Sequence, residues 1–144
     1  MRKLILVKHA APQVVPGVPP EKWALSDQGK HRCGPLAEAL RAYQPEIVVS
    51  SLEPKADETG ELVAGHLTLP FEAVEGLHEH DRSNVPHLPS REFISLMELF
   101  FRRPAERVLG RESADEALRR FEAAVERVLA DHEDRNVAIV SHGT

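Results

Sequence analysis

The sequence has few of the features that mark secreted, membrane or repeat proteins. It holds one cysteine, Cys33, in 144 residues, so it can form no internal disulfide and suits a reducing compartment. The apolar run that opens the chain, Leu4 to Val7, spans four residues before Lys8. A secretory signal or a membrane span needs a much longer run. No internal repeat or low-complexity tract is present, and we expect a cytoplasmic protein.

The sequence also has fewer basic than acidic residues. Lysine and arginine number 18 against 23 acidic residues, which gives a net charge of -5. This balance argues against a nonspecific nucleic-acid binder, and we expect neither nucleic acid nor a membrane as a partner. Any anionic ligand must therefore be held by a local site. At 144 residues, the length suits one domain with a sizeable core.

Four apolar segments predict strands. The first is rich in Leu, Ile and Val without strict alternation, which is typical of a strand that is buried on both faces of a parallel sheet. Phe71 to Glu75 is the weakest of the four segments. The strands are predicted at Lys3 to Lys8, Glu46 to Ser50, Phe71 to Glu75, and Asn136 to Ser141.

Helical patterns lie between these strands. Ser113 and the glutamate three residues later form a capping-box pattern, and an apolar stripe follows: Leu118, Phe121, Val125, Val128 and Leu129. Alternating strands and helices predict an α/β three-layer sandwich, with a mainly parallel sheet and helices on both faces.

Three further helices are expected. Pro35 is assigned to the first turn of one of them, because proline deeper in a helix costs roughly 3 kcal/mol. The others are predicted at Pro54 to His66 and at Ser90 to Arg102, with these side chains of the latter turned inward: Phe93, Met97, Phe100 and Phe101. Asn84 to Pro89 is predicted to be a surface loop.

Polar residues follow three of the predicted strands. His9 comes after the first, Ser50 and Ser51 end the second, and Ser141 and His142 end the last. The carboxyl ends of parallel strands meet in one crevice, where ligands bind. Two histidines, nearby lysines and a carboxylate suit covalent phosphoryl transfer, in which an imidazole attacks phosphorus and cations neutralise the phosphoryl oxygens.

Five segments in order resemble the histidine phosphatase superfamily, also called phosphoglycerate mutase-like. "LVKHA" resembles its Leu-Val-Arg-His-Gly signature, and "LSDQG" resembles its Leu-Thr-x-x-Gly helix entry. "SSLEPKADETGELVA" resembles Ser-Ser-Pro-Leu-x-Arg-Ala-x-Gln-Thr-Ala, "GRESADEALRRF" resembles the Glu-Ser step into a late helix, and "VSHGT" resembles Val-Ser-His-Gly-Gly. Five matches in the correct order and spacing are hard to explain by accident.

The resemblance implies a phosphatase that hydrolyses a small phosphomonoester through a phosphohistidine, with mutase activity less expected. It implies His9 as nucleophile, His142 as a phosphoryl contact and Glu79 as general acid, with Glu75 and Asp81 as competing carboxylates. It implies no metal and no cofactor. The sequence leaves the substrate and the oligomeric state open.

Two departures concern the phosphate clamps. Lys8 and Lys55 stand where the family has arginines. Lysine keeps the charge but lacks the planar fork that binds two phosphate oxygens at once. Glu53 adds an acid to the same region. These changes leave a second hypothesis open: a noncatalytic member of the fold that binds phosphate or another protein.

Two further expectations concern the end of the chain and a histidine cluster. Thr144 follows His142 by two residues, where the family continues, so we expect residues 1-144 to form a single domain that lacks the family's C-terminal helix and strand. His78, His80 and His87 invite a metal interpretation, but their spacing matches no familiar ligand pattern, so we expect a polar loop there instead. We expect Glu112, Ser113 and Arg120 to serve structure, the first two by helix capping.

Overall fold

The computed structural model describes residues 1–86 and 88–143 and contains a four-stranded parallel sheet. Its strand order is β1-β4-β2-β3. The strands are β1 (Leu4–Lys8), β2 (Ile47–Ser51), β3 (Phe71–Val74) and β4 (Val137–Ser141). All four predicted strands are confirmed to within one residue at either end. His87 and Thr144 lie outside the described residues.

Four α-helices accompany the sheet in the described part of the chain. They are α1 (Asp27–Leu40), α2 (Pro54–Leu67), α3 (Ser90–Arg102) and α4 (Ala114–Asp131). One core cluster joins α1 and α2 to one face of the sheet, and a second joins α4 to the other face. The three-layer α/β sandwich is therefore confirmed. No helix among the described residues is both long and apolar enough to cross a membrane.

Helix α1 corrects the placement of Pro35, which lies in the helix interior instead of the first turn. Ser26 starts the helix earlier, since its side chain accepts a hydrogen bond from the Gly29 N–H at 3.0 Å. Pro35 removes the backbone donor that would pair with the carbonyl of His31. Both residues are exposed, so water can bind that carbonyl and the proline is tolerated.

Strand β1 corrects a second prediction, because it is not buried on both faces. It lies at one end of the strand order and pairs with β4. Leu4 is 41% exposed and Leu6 is 61% exposed, whereas Val7 on the opposite face is 8% exposed. A run of Leu, Ile and Val cannot distinguish an edge strand from a central one, because position in the sheet depends on topology.

The helix boundaries are predicted more accurately than the side chains that face the core. Helix α3 has the predicted bounds, and Met97 and Phe100 are buried, but Phe101 is 62% exposed. Consecutive residues on a helix point about 100° apart, so Phe100 and Phe101 cannot both face the core. Leu118 in the α4 stripe is also exposed, at 53%.

Candidate active site

Two histidines face each other at the carboxyl edge of the sheet. His9 follows β1 and His142 follows β4, and the two strands are neighbours in which Lys8 lies opposite Ser141. The His9 N–H donates to the carbonyl of Ser141 at 2.9 Å, which continues the ladder past the strand end. The ring centroids are 5.2 Å apart, with 60° between the ring planes.

The backbone sets the tautomer of His9. Its Nδ1 lies 2.7 Å from the Ala10 carbonyl, an acceptor, so Nδ1 carries the proton and Nε2 keeps its lone pair. The half-buried ring has a lowered pKa, first because burial disfavours the charged imidazolium and then because Lys55 and Lys8 repel it. His9 is therefore neutral at physiological pH, as a nucleophile must be.

His142 is more deeply buried than His9. Its side chain is 1% exposed, and Nε2 lies 3.0 Å from the hydroxyl of Ser51 at the end of β2. Burial is the main reason that its pKa falls to about 3. Nδ1 makes no hydrogen bond and lies 3.7 Å from a carboxylate oxygen of Glu53. His142 thus enters the site as a neutral imidazole.

The two lysines take different positions. The side chain of Lys55 is 3% exposed, and its Nζ donates to the carbonyl of Pro20 at 3.0 Å. The same Nζ lies 3.1 Å from Glu53 Oε2 and 3.5 Å from Glu79 Oε2. Lys8 is exposed, and a side chain added at Gly143 would meet its Nζ at 3.2 Å. Lys55 therefore lies inside the site and Lys8 at its rim.

Glu79 lies in the irregular segment after β3. Its carboxylate also approaches Arg82, with Oε1 at 3.3 Å from the guanidinium, and its N–H donates to Glu53 Oε1 at 3.1 Å. The two competing carboxylates differ from it. Glu75 is exposed, and Asp81 accepts hydrogen bonds from the hydroxyl and N–H of Ser83 at 2.7 and 3.0 Å.

Comparison with known proteins identifies the family of the chain. The family model described as "Histidine phosphatase superfamily (branch 1)" matches residues 5–144. The chain belongs to this superfamily. A search of curated proteins finds no match.

Solved structures support the same fold. A structure titled "Mycobacterial hydrolase 1" aligns with a TM-score of 0.81 at 20% identity over 99% of this chain and 74% of that one. Mycobacterial glucosyl-3-phosphoglycerate phosphatase in complex with inorganic phosphate gives 0.77 at 24% identity, over 99% and 74%. A mutant phosphoserine phosphatase from Entamoeba histolytica, in complex with phosphoserine, gives 0.76 at 17% identity, over 99% and 74%. At these identities the likeness establishes the fold.

Glu53 and Thr59 have contacts in this candidate site that the sequence did not predict. Glu53 precedes α2, and its two oxygens reach Glu79, Lys55 and the neighbourhood of His142. The buried hydroxyl of Thr59 accepts from the Ala10 N–H at 3.0 Å and donates to the Lys55 carbonyl at 2.6 Å. Glu53 was visible in the sequence only as a departure from the superfamily's motif, and Thr59 only as a match to it.

Glu112 and Ser113, which match the Glu-Ser motif of the superfamily, have different roles. Ser113 caps α4 as predicted, since it accepts from the Glu116 N–H while the Glu116 carboxylate accepts from the Ser113 N–H. The prediction that Glu112 is a capping residue is wrong. Its carboxylate pairs with Arg120 and accepts from the Asp81 N–H at 2.9 Å.

One group of potential metal ligands is present among residues 1–86 and 88–143. Glu53, Glu79 and His142 place one ligand atom each within 4.8 Å of one another. The Lys55 ammonium lies beside both of these carboxylates and already compensates their charge. The hypothesised His78 and His80 belong to no such group, and His80 packs against Phe100 with ring centroids 4.3 Å apart. His87 lies outside the described residues.

A groove of about 640 Å³ adjoins His9 on the side of α1. Its walls combine apolar side chains with two cations, Lys8 and Arg32. Arg32 is exposed on α1 and reaches this groove only because the helix packs beside the end of β1, so local sequence gives no sign of it.

Proposed function

We propose that this chain is a phosphatase that hydrolyses a small phosphomonoester through a phosphohistidine at His9. The observation that carries the proposal is the pair of neutral imidazoles, His9 and His142, which face each other at 5.2 Å beside the buried Lys55 ammonium. Two similar structures are of phosphatases, one with inorganic phosphate and one with phosphoserine, and this supports the same reaction class.

In the first step, Nε2 of His9 forms a bond to phosphorus while the bond from phosphorus to the leaving oxygen breaks. Glu79 takes up a proton from solvent as the phosphate dianion enters beside Lys55, and it gives this proton to the leaving oxygen, which departs as an alcohol. Lys55 neutralises charge on the phosphoryl oxygens, and the neutral His142 contacts the group in transfer. Lys8 supplies a second positive charge from the rim.

In the second step, the Glu79 carboxylate takes a proton from water, and the water oxygen attacks phosphorus as the bond from phosphorus to His9 breaks. Inorganic phosphate leaves, and Glu79 returns this proton to solvent, so the cycle closes. Glu79 is preferred over Asp81 and Glu75 for this work because its carboxylate lies 3.5 Å from the buried Lys55 ammonium, whereas Glu75 is exposed. The cycle needs no metal and no cofactor.

The test is turnover of 4-nitrophenyl phosphate by the wild-type chain and by His9→Ala, with the exposed His31→Ala as matched control. We expect His9→Ala to lose all measurable turnover and all acid-labile phosphate on the protein, and His31→Ala to keep both. Equal turnover in the two variants would contradict a phosphohistidine at His9.

One observation favours a second candidate, a noncatalytic phosphate-binding or protein-interaction module. The Lys55 ammonium is held by two carboxylates and a carbonyl, so phosphate must compete with them for its charge. Such a module binds inorganic phosphate in a titration but gains no acid-labile phosphate when it is incubated with an aryl phosphate. The phosphatase binds inorganic phosphate and also gains acid-labile phosphate.

A further inference from the structure

The segment that carries Glu79 has no regular secondary structure. After β3 ends at Val74, residues 75 to 82 form neither helix nor strand. Their backbone carbonyls therefore lack the partners that a helix or a sheet would supply. The segment turns at Gly76, whose φ of 91° lies in the region that favours glycine. A Cβ there would come 2.8 Å from that of Ala124, so glycine also lets the segment lie close against α4.

One side chain of α4 satisfies three of these carbonyls. The guanidinium of Arg120 donates from Nη1 to the carbonyls of Gly76 and His78, at 2.8 and 2.9 Å. It donates from Nη2 to the carbonyl of Glu79 at 3.3 Å. Three carbonyls of one loop are thus tied to a single planar group.

Glu112 fixes the guanidinium from the other side. It accepts from Arg120 Nε at 3.2 Å and from Nη2, and its Oε1 also accepts the Asp81 N–H at 2.9 Å. Burial by itself would raise the pKa of Glu112, but the hydrogen bonds from Arg120 and Asp81 outweigh it and hold the pKa below its usual value. Arg120 and Glu112 therefore both stay charged. Together they bind the segment near its start, at Gly76, and near its end, at Asp81.

Glu79 is consequently held on both sides of its Cα. Its N–H donates to Glu53 Oε1 at 3.1 Å, and its carbonyl accepts from Arg120 at 3.3 Å. A proton donor must reach the leaving oxygen within hydrogen-bond distance, and a misplacement of about 1 Å can cost about 100-fold in rate.

We infer that Arg120, locked by Glu112, is a positioning residue that holds Glu79 where its carboxyl can protonate the leaving group. The inference rests on the proposed phosphatase function, because it concerns the general acid of that reaction. Arg120 touches neither the leaving group nor phosphorus. It acts through the backbone of the loop and through Glu79.

The test uses the leaving group as the readout. An alkyl phosphate such as glycerol phosphate needs a proton on its leaving oxygen, whereas 4-nitrophenolate departs without one. Arg120→Met keeps much of the side-chain volume but removes the donors. We expect its kcat/KM for the alkyl phosphate to fall about 100-fold, the lower end of what general acid catalysis contributes. Turnover of 4-nitrophenyl phosphate should change by only about threefold, since its leaving group departs without a donated proton.

Two further variants sharpen the result. Arg120→Lys keeps the charge and can reach a carbonyl, so we expect partial recovery of alkyl phosphate turnover over Arg120→Met. Arg119→Met, at the exposed neighbouring position on α4, is the matched control and should behave like the wild type on both substrates. Both substrates are measured on the same sample, so a loss of folded protein lowers both rates equally.

The outcomes separate the two claims. If kcat/KM per folded molecule of Arg120→Met falls by the same factor on both substrates while the wild type is active, the positioning role is overturned and the phosphatase stands. A wild type and an Arg119→Met variant that are inactive on both substrates would overturn the proposed function, and the positioning role with it.

Discussion

At the scale of single residues, Lys55 is the cation on which the site depends most. Its ammonium lies between two carboxylates, and its side chain is 3% exposed. Removing one partner of a buried ion pair leaves the others as uncompensated charges. Glu53 Oε2 has no hydrogen-bond partner, so it relies on this ammonium for its compensation.

We predict that Lys55→Met lowers the free energy of unfolding by about 3 kcal/mol, because Glu53 and Glu79 lose their shared counter-charge. Urea denaturation measures the effect. The exposed Lys8→Met is the control and should stay within about 0.5 kcal/mol of the wild type. Adding Glu53→Gln to Lys55→Met should restore part of the lost stability. A Lys55→Met chain as stable as the control would mean that the buried charges are compensated in another way.

At the scale of elements, helix α4 begins at a capping box and carries the arginine that binds the loop after β3. Its start is set by the reciprocal hydrogen bonds of Ser113 and Glu116, and Ser113 is 2% exposed. By contrast, α3 begins after Pro89 with no side-chain cap. Ser113, which caps α4, can therefore be compared with Ser90, which begins α3 and caps nothing.

We predict that Ser113→Ala costs about 1 kcal/mol of unfolding free energy, because the Glu116 N–H loses its acceptor. Ser90→Ala, at the first residue of the uncapped α3, should change stability by less than about 0.5 kcal/mol. Thermal or urea unfolding compares the two variants. Similar losses in both would contradict the assignment of the cap to Ser113.

At the scale of the whole molecule, the buried histidines link stability to pH. The pKa of His142 falls from 6.5 to about 3 because of burial, and that of His9 is also lowered. Between pH 6.5 and about pH 3, the unfolded chain therefore binds a proton at His142 that the folded chain does not. Stability must therefore rise with pH across this window and fall as the solution becomes acidic.

We predict that the wild type loses stability between pH 7 and pH 5, and that His142→Gln loses less over the same range. Urea denaturation at the two pH values measures the difference. This range lies above the ordinary pKa of carboxylates, so the histidines dominate it. The exposed His31→Gln should keep the wild-type dependence. A His142→Gln chain with an unchanged dependence would show that His142 is not its source.

The sequence by itself determined the strands, most helix bounds, the capping box and the arrival of His9 and His142 at one sheet edge. These follow from local patterns and from the rule that the ends of parallel strands meet. The prediction for Pro35 was wrong because two local signals indicated different starts for α1. One was the LSDQG segment with its capping serine, and the other was the proline itself.

Only the tertiary structure decided which charges are buried together and which apolar faces are exposed. Glu53 and Lys55 meet Glu79 across 24 to 26 residues of sequence, and Arg120 meets Gly76 across 44. Leu6 is exposed because β1 ends the strand order. Such contacts depend on how the elements pack, and a local pattern carries no record of a partner that is distant in the chain.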